Sequence, residues 1–231
     1  MIPVMRAPLL LAAALSLPGA ALAGSIKGTV IYEGVDPERP PQERDTDAYC
    51  KKIPALSDDV IATKGKLKDV LVRIKNGSMG KHPTPTTPVV LDQKGCTYSP
   101  RVVGVFPGQK LVVKNSDGTF HNVNGQIAGV PLFNKPQPAK AADLSLQATA
   151  QPGDVIDIVC NVHTWMHSYA VVQDHPYFAV TSDDGTFTFK DLKPGTYEIE
   201  AWHPTLGTKT LTVKVGVGAK GDVPARLSFK P

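Results

Sequence analysis

Three residues that can bind a metal ion follow one another at intervals of three in the segment 160–166. This segment reads Cys-Asn-Val-His-Thr-Trp-Met, so a thiolate can come from Cys160, an imidazole from His163 and a thioether from Met166. A second imidazole, that of His121, lies upstream in a His-Asn pair. Thiolate, imidazole and a weak thioether are the ligands of mononuclear copper sites that exchange single electrons. The pattern therefore predicts a copper site and one-electron chemistry.

The spacing of these ligands also predicts which elements must position them. The apolar alternating run 155–160 indicates a strand, and the three downstream ligands then lie on a tight loop at its end. The other imidazole must arrive from a neighbouring strand, and the turn and alternating run within 107–123 supply it. Two imidazoles and one thiolate would form a trigonal plane around the metal, with the thioether as a distant axial ligand.

Other interpretations of the same residues stay open at this stage. Two histidines and a cysteine can also bind zinc, although methionine is a poor zinc ligand and soft sulfur donors favour copper. His167 directly follows Met166 and could compete with it as the axial ligand. A buried cysteine or methionine can also simply fill a hydrophobic core. The ordered coincidence of all the candidate ligands favours the copper site.

The chain has three cysteines, so at least one has no intramolecular partner. If Cys160 binds the metal, Cys50 and Cys96 remain as a candidate disulfide, which an oxidising compartment would favour. The alternative is a pair of unbonded or partly oxidised thiols.

The first residues predict export. Residues 1–23 combine a basic start at Arg6, an apolar run over 9–17 and an Ala-Leu-Ala ending. This is typical of a cleaved signal peptide, and the apolar run is too short to span a membrane comfortably. We therefore expect a periplasmic or otherwise exported protein, with no transmembrane segment in the mature chain.

The charge pattern excludes some partners. The formal net charge is +4, from 25 basic and 21 acidic residues that are interspersed along the chain. Because there is no long basic run, a nucleic-acid partner is not expected.

The pattern of hydrophobic residues predicts an all-β fold. Short alternating runs are bounded by Gly, Pro, Asn and Asp, and long runs with helical periodicity are scarce. Many short strands of this kind favour a sandwich or a barrel. One short helix is possible within 126–152. The predicted strands are 25–32, 69–75, 89–92, 102–105, 110–115, 155–160, 170–173, 178–181, 186–190, 195–202 and 209–215.

Two turns near the C-terminus resemble a known family. Residues 182–189 read Ser-Asp-Asp-Gly-Thr-Phe-Thr-Phe, and residues 192–199 read Leu-Lys-Pro-Gly-Thr-Tyr-Glu-Ile. An Asp-Gly-x-Phe hairpin followed by Pro-Gly-Thr-Tyr resembles the carboxypeptidase-regulatory-like, transthyretin-like β-sandwich. The resemblance implies a fold and no activity.

The opening strands of that family are similar to 24–30 and 70–74. The resemblance therefore implies one discontinuous sandwich, made of 24–80 and 176–231, that packs with or contains an inserted unit at 88–174.

The inserted unit resembles a cupredoxin, close to the amicyanin and plastocyanin branch. The residues that carry this resemblance are 98–100 (Tyr-Ser-Pro), 107–109 (Pro-Gly-Gln), Asn115, 121–123 (His-Asn-Val), the 160–166 loop and the closing strand 169–172. The resemblance implies a Greek-key β-sandwich with one type 1 copper ion. The implied copper ligands are His121, Cys160, His163 and Met166. It also implies that Asn122 makes hydrogen bonds that tie the two ligand loops together.

The expected function is single-electron transport. The edge of the His163 ring would reach the surface and pass an electron to a redox protein such as a c-type cytochrome or a dehydrogenase. Trp165 is a candidate docking residue beside it. The sequence has no nucleophile elbow, zinc-protease helix or phosphate-binding loop, so an enzyme is not expected.

Two rival functions stay open. A copper chaperone or sensor would use similar soft ligands but exchange the metal ion. A cell-envelope binding module would have lost its metal, and the presence of all four candidate ligands argues against this.

Overall fold

A computed structural model describes residues 24–218 and 221–231. The predicted signal peptide, 1–23, lies outside the described residues. The strands are, in chain order, β1 (Gly24–Tyr32), β2 (Ala62–Thr63), β3 (Lys66–Leu67), β4 (Leu71–Ile74), β5 (Val89–Gln93), β6 (Tyr98–Ser99), β7 (Val102–Val105), β8 (Lys110–Asn115), β9 (His121–Ile127), β10 (Val130–Gln137), β11 (Leu144–Gln147), β12 (Val155–Val159), β13 (His167–Val172), β14 (Phe178–Val180), β15 (Thr186–Leu192), β16 (Gly195–His203), β17 (Gly207–Val215) and β18 (Asp222–Phe229).

The prediction of an all-β fold is confirmed, since the only helix in the described residues is a single 3-10 turn, Cys50–Lys52. The possible helix within 126–152 is wrong, because β10 and β11 occupy that segment. Within 24–218 and 221–231, no helix has the length and apolar character needed to cross a membrane.

The first and last parts of the chain build two facing sheets. One has the order β15-β1-β3-β2, with β18 pairing in parallel with β1, and the other has the order β14-β4-β16-β17. Alternate residues of β1 point into the core, where Ile26 and Val30 lie with Phe187 and Phe189. Gly28 lies between them, and a Cβ atom there would come within 2.2 Å of the Phe187 ring. The close packing of the aromatic ring therefore requires glycine. We call these two sheets the outer sandwich.

The strands β5 to β13 build a second pair of sheets, which we call the inner sandwich. Their orders are β10-β9-β12-β13-β7 and β11-β8-β5-β6. The core between them contains Leu91, Leu111, Ile156 and Ile158, together with Cys160 and Met166 at one end. Two of the predicted metal ligands are thus part of a hydrophobic core that holds them in place.

The inner sandwich interrupts the outer one in the chain and packs against it. A separate apolar cluster joins them through Leu71 of β4, Val102 of β7 and Val171 of β13. Phe178 packs over Gly104, where a Cβ atom would come within 2.2 Å of the ring. The domain boundaries predicted from the sequence, 24–80 and 176–231 for one sandwich and 88–174 for the other, stay a prediction.

A long irregular segment crosses from the outer sandwich to the inner one. We call residues 33–61 the cover segment; it leaves β1, carries the 3-10 turn and one isolated bridge, and returns at β2. The Cys50–Cys96 disulfide, present as predicted, ties it to the inner sandwich. Arg44 adds a second tie, because its Nη1–H group donates to Gly95 O at 2.9 Å.

Candidate metal centre

The pairing of β9 with β12 brings the two ligand segments together. His121 is the first residue of β9, and Cys160 directly follows β12. These strands are antiparallel neighbours, with Val159 opposite Asn124. The two ends that carry the ligands therefore lie side by side.

Three of the four predicted ligands converge in space. His121 Nδ1 lies 2.9 Å from His163 Nδ1, which in turn lies 3.8 Å from Cys160 Sγ. All three donor atoms lie within 4.8 Å of one another, and all three residues are buried. Metal–nitrogen bonds of about 2.0 Å and metal–sulfur bonds of about 2.3 Å limit two donors on one ion to about 4.3 Å apart. Both measured distances satisfy this limit.

Met166 lies at the same end of the core as Cys160 and is 1% exposed. The ligand loop closes on itself, since Met166 N–H donates to His163 O at 2.9 Å and Cys160 N–H donates to Met166 O at 3.3 Å. These bonds fix the backbone of three candidate ligands in one turn. The role of the thioether as the axial ligand stays a prediction.

Asn122 links the two ligand segments. Its Oδ1 atom accepts the Asn161 N–H at 2.7 Å and lies 3.5 Å from Cys160 Sγ. The Tyr98 hydroxyl donates to Asn122 O at 2.6 Å from the opposite sheet. Burial raises the pKa of Tyr98, so this donor stays protonated. The backbone on both sides of the thiol is therefore held by hydrogen bonds.

Asp117, which is not part of the ligand motifs, orients the His121 ring. Its Oδ2 atom lies 3.0 Å from His121 Nε2, and the carboxylate also accepts the N–H groups of Gly95 and Cys96. Burial lowers the pKa of His121, and the bond to Asp117 opposes this effect. A carboxylate at Nε2 places the imidazole proton there and leaves Nδ1 free for a metal ion. Asp117 lies in the connection between β8 and β9, and no sequence motif marks its contact with His121.

A second carboxylate reaches the His163 ring from the cover segment. Asp47 Oδ2 lies 3.3 Å from His163 Nε2. Burial alone would raise the pKa of Asp47, but hydrogen bonds from Cys50 N–H, the Thr119 hydroxyl and Tyr49 N–H lower it from 3.8 to about 2. Asp47 is thus a carboxylate at neutral pH. No local sequence signal connects it to His163, because the two residues belong to different parts of the chain.

The contacts of the two imidazoles are compatible with a metal ion between them. Each Nε2 atom faces a carboxylate, so we assign the single N–H group of each neutral ring to that side. The two Nδ1 lone pairs of His121 and His163 then face each other at 2.9 Å, which is repulsive without a cation. An ion that accepts both lone pairs and the Cys160 thiolate removes this repulsion.

The expectation that the His163 edge reaches the surface is wrong. His163 is 3% exposed, because Cys50 Sγ lies 3.9 Å from Nε2 on the far side of the ring. Trp165 covers another side, with ring centroids 5.0 Å apart. The half-buried Trp165 donates its indole N–H to Cys96 O at 3.0 Å and packs beneath Arg44. Its role in docking stays a prediction.

His167 lies apart from the donor atoms. Its Nε2 atom contacts Thr164 O at 3.1 Å, and its Nδ1 atom lies 3.6 Å from Asp157 Oδ1. The contact with Asp157 raises the pKa of His167. The side chain is thus oriented by partners outside the cluster of His121, Cys160 and His163.

A family model described as BOS complex subunit NOMO1-like, second beta sandwich domain, matches residues 169–228. None of the curated proteins matches the chain significantly.

Among solved structures, the chain is similar to amicyanins and to another cupredoxin. The reduced Cu(I) form at pH 4 of a proline-to-glycine mutant of amicyanin has 23% identity, covering 44% of this chain and 98% of that chain, with a TM-score of 0.33. The oxidized state of a proline-to-alanine mutant of amicyanin has 18% identity, covering 50% and 100%, with a TM-score of 0.34. A purple cupredoxin from Nitrosopumilus maritimus has 20% identity, covering 44% and 97%, with a TM-score of 0.30.

Proposed function

We propose that this chain is an exported protein that carries single electrons on one type 1 copper ion. The ligands in this proposal are His121, Cys160, His163 and Met166. The observation that carries it is the convergence of two Nδ1 atoms and one Sγ atom within 4.8 Å in a buried site. These are the equatorial donors that such copper sites use.

Copper would supply the one-electron couple, and the chain supplies a rigid frame for it. Asp117 and Asp47 hold the two rings from behind, and Asn122 fixes the backbone next to the thiolate. Because each ligand is held by the fold, its position changes little when the charge of the site changes. Fast electron transfer requires this small rearrangement.

The outer sandwich contributes to this function through the cover segment. It brings Asp47 and the disulfide over the His163 ring and so excludes water from that side of the site. A partner would therefore dock on the cover segment and on Trp165, and would not touch the imidazole directly. We propose a redox protein such as a c-type cytochrome or a dehydrogenase as that partner.

The burial of the ligands favours a carrier over a chaperone. A protein that hands over its metal ion needs ligands that an incoming thiol can replace, whereas His121, Cys160 and His163 are all buried. We also propose that the chain catalyses no reaction of its own. The signal-like segment 1–23 supports a periplasmic location.

Visible absorption and EPR spectra of the mature protein with Cu(II) test the proposal. The wild type should show an intense thiolate-to-copper charge-transfer band and a reversible one-electron couple. Cys160→Ser should lose the band, because the thiolate is its origin. His167→Ala is the matched control and should keep it, since His167 lies outside the donor cluster.

Identical spectra for the wild type and Cys160→Ser would exclude Cys160 as a ligand and refute the proposal that this protein is an electron carrier. A colourless protein that binds Cu(I) and releases it quickly would instead support the chaperone. Met166→Leu tests the axial ligand separately. It should keep the band but change the reduction potential.

A further inference from the structure

The far sides of both imidazole rings face the disulfide. Cys50 Sγ and Asp47 Oδ2 lie 3.9 Å and 3.3 Å from His163 Nε2. These three residues each offer a ligand atom within 4.8 Å of the others. The nitrogen involved is the one that the copper site does not use.

The other sulfur of the disulfide has a similar environment. Cys96 lies with Asp117 and His121, and their ligand atoms are also within 4.8 Å of one another. Each sulfur therefore has one carboxylate and one imidazole beside it. Cysteine thiolate, imidazole and carboxylate are the ligands of zinc sites.

The disulfide bond prevents either sulfur from acting as a thiolate. A dithiol or phosphine reductant can supply two electrons, which break the S–S bond, while two protons complete the thiols of Cys50 and Cys96. The reductant leaves as a disulfide or, with water as the oxygen source, as a phosphine oxide. Metal binding then releases the two thiol protons.

We propose that reduction of the Cys50–Cys96 disulfide creates a second metal site, which binds a borderline divalent ion such as Zn²⁺. Its ligands are the thiolates of Cys50 and Cys96, His163 Nε2 and the Asp47 carboxylate. This site lies behind the His163 ring, on the opposite side from Cys160.

The positions of Asp47, Cys50 and His163 fit one ion, and the Cys96 thiolate, which moves apart from Cys50 once their bond is broken, completes the ligand set. Zinc–nitrogen and zinc–oxygen bonds of about 2.0 to 2.2 Å and zinc–sulfur bonds of about 2.3 Å limit the donor separations to about 4.4 Å. The distances from His163 Nε2 to Cys50 Sγ, 3.9 Å, and to Asp47 Oδ2, 3.3 Å, are both shorter. Asp47 is the carboxylate of this site because its Oδ2 atom faces the same His163 Nε2 atom as Cys50, whereas Asp117 faces the other ring, that of His121.

His163 belongs to both sites, with Nδ1 facing Cys160 and Nε2 facing Cys50. When the second site is filled, the ring proton moves from Nε2 to Nδ1, which removes the hydrogen bond to Asp47 and leaves Nδ1 without a lone pair for copper. The redox state of the disulfide would thus decide whether one metal ion binds His163 or two metal ions compete for it. This inference goes beyond the proposed electron transport and does not require it.

Access to the buried sulfurs depends on the cover segment. Cys50 and Cys96 are both 0% exposed, so a reductant must wait for a local opening. The cover segment contains one 3-10 turn and one isolated bridge, from Pro41 to Leu56, in place of a sheet. Irregular segments at the surface open at lower free energy than the strands of a packed sheet. The structure therefore offers a route to reduction without global unfolding.

Co²⁺ binding to the full mature chain with Cys160→Ser tests the second site. In this background the only thiols are those of Cys50 and Cys96, so any thiolate-to-cobalt band reports on them. After reduction with a phosphine, we expect one Co²⁺ per chain, with a near-ultraviolet charge-transfer band and tetrahedral visible bands. The oxidised protein should show neither, and Zn²⁺ should displace the cobalt.

Two further variants in the same Cys160→Ser background distinguish this site from non-specific binding of Co²⁺ to free thiols. Cys50→Ser with Cys96→Ser should remove the bands, and Asp47→Asn should weaken Co²⁺ binding by at least about tenfold. The proposal is refuted if reduced, natively folded protein shows no thiolate band, or if Asp47→Asn binds as tightly. Loss of the native circular dichroism on reduction also refutes it, because the site exists only in the folded chain. Failure of the copper site would instead appear in the wild type with its disulfide intact.

Discussion

At the scale of single residues, two aspartates contact the candidate ligand rings. Asp117 and Asp47 each place a carboxylate behind one candidate ligand ring. A carboxylate at the far nitrogen makes an imidazole more basic and strengthens its bond to a metal ion. This effect is larger for Cu(II) than for Cu(I), because Cu(II) has the higher charge. The two aspartates should therefore lower the reduction potential of the site.

Asp117→Asn tests this effect. Loss of the carboxylate should weaken Cu(II) binding by about tenfold to 100-fold. If Cu(I) binding is unchanged, the potential rises by about 60 to 120 mV, since each tenfold change is about 59 mV for one electron. Protein-film voltammetry at pH 7 measures this change in reduction potential. Asp143→Asn, at an exposed position, should leave the potential nearly unchanged. A potential that stays the same or falls in Asp117→Asn would contradict the argument.

At the scale of elements, the cover segment links the two sandwiches without belonging to either core. It is held by the Cys50–Cys96 bond and by hydrogen bonds from Arg44 to Gly95 O and to Ile53 O. Further contacts tie it to both sandwiches, among them the ion pair of Asp58 with Arg101 and the hydrogen bond from the Thr119 hydroxyl to Asp47, and the disulfide is the covalent tie. The burial of His163 depends on the position of this segment.

Removing the disulfide in Cys50→Ala with Cys96→Ala should destabilise the metal-free protein. The bond spans 46 residues of sequence, and the chain-entropy model assigns a loop of that size about 4 kcal/mol. Urea unfolding at pH 7 measures the change, with Cys160→Ala as the control for loss of a buried thiol. Hydrogen exchange within the cover segment should also become faster. A loss of stability below about 1 kcal/mol would show that Arg44 and the other contacts hold the segment without the disulfide.

At the scale of the whole molecule, the two sandwiches share an apolar junction and should unfold together. Leu71, Val102 and Val171 are each buried between them. His203 lies in the outer sandwich close to this junction, is 1% exposed and accepts the N–H groups of Thr205 and Leu206 at Nδ1. Burial lowers its pKa from 6.5 to about 4, and Arg101 adds to the effect. His203 is therefore neutral in the folded protein at pH 5 to 6.

This shift predicts how stability depends on pH. The unfolded chain binds a proton at His203 below pH 6.5, whereas the folded chain does so only near pH 4. The contribution of His203 to the free energy of unfolding is therefore fully present above pH 6.5 and is lost as the pH falls to about 4. It amounts to about 3 kcal/mol. Urea unfolding of metal-free wild type and His203→Gln from pH 7 to 4 should give a shallower pH dependence for the variant. Parallel curves would contradict the prediction, and two separate transitions would contradict the coupling of the sandwiches.

The sequence by itself determined the features that depend on neighbouring residues. Alternation of apolar residues located most strands of both sandwiches, including β8 at its observed bounds. The spacing of Cys160, His163 and Met166 predicted one ligand loop, and the structure closes these three residues into one turn. Strands β9, β10, β11 and β18 are among those missed. Strand β9 buries His121 and Asn122 and lacks a hydrophobic alternation.

Only the tertiary structure decided the surroundings of those ligands. The contacts of Asp47 with His163 and of the disulfide with the same ring join residues that are far apart in the chain. Such contacts depend on how the cover segment crosses between two packed sandwiches, and no local pattern encodes that path. The burial of His163 follows from the same packing. This is why the sequence indicated the donor atoms but led to a wrong expectation about their exposure.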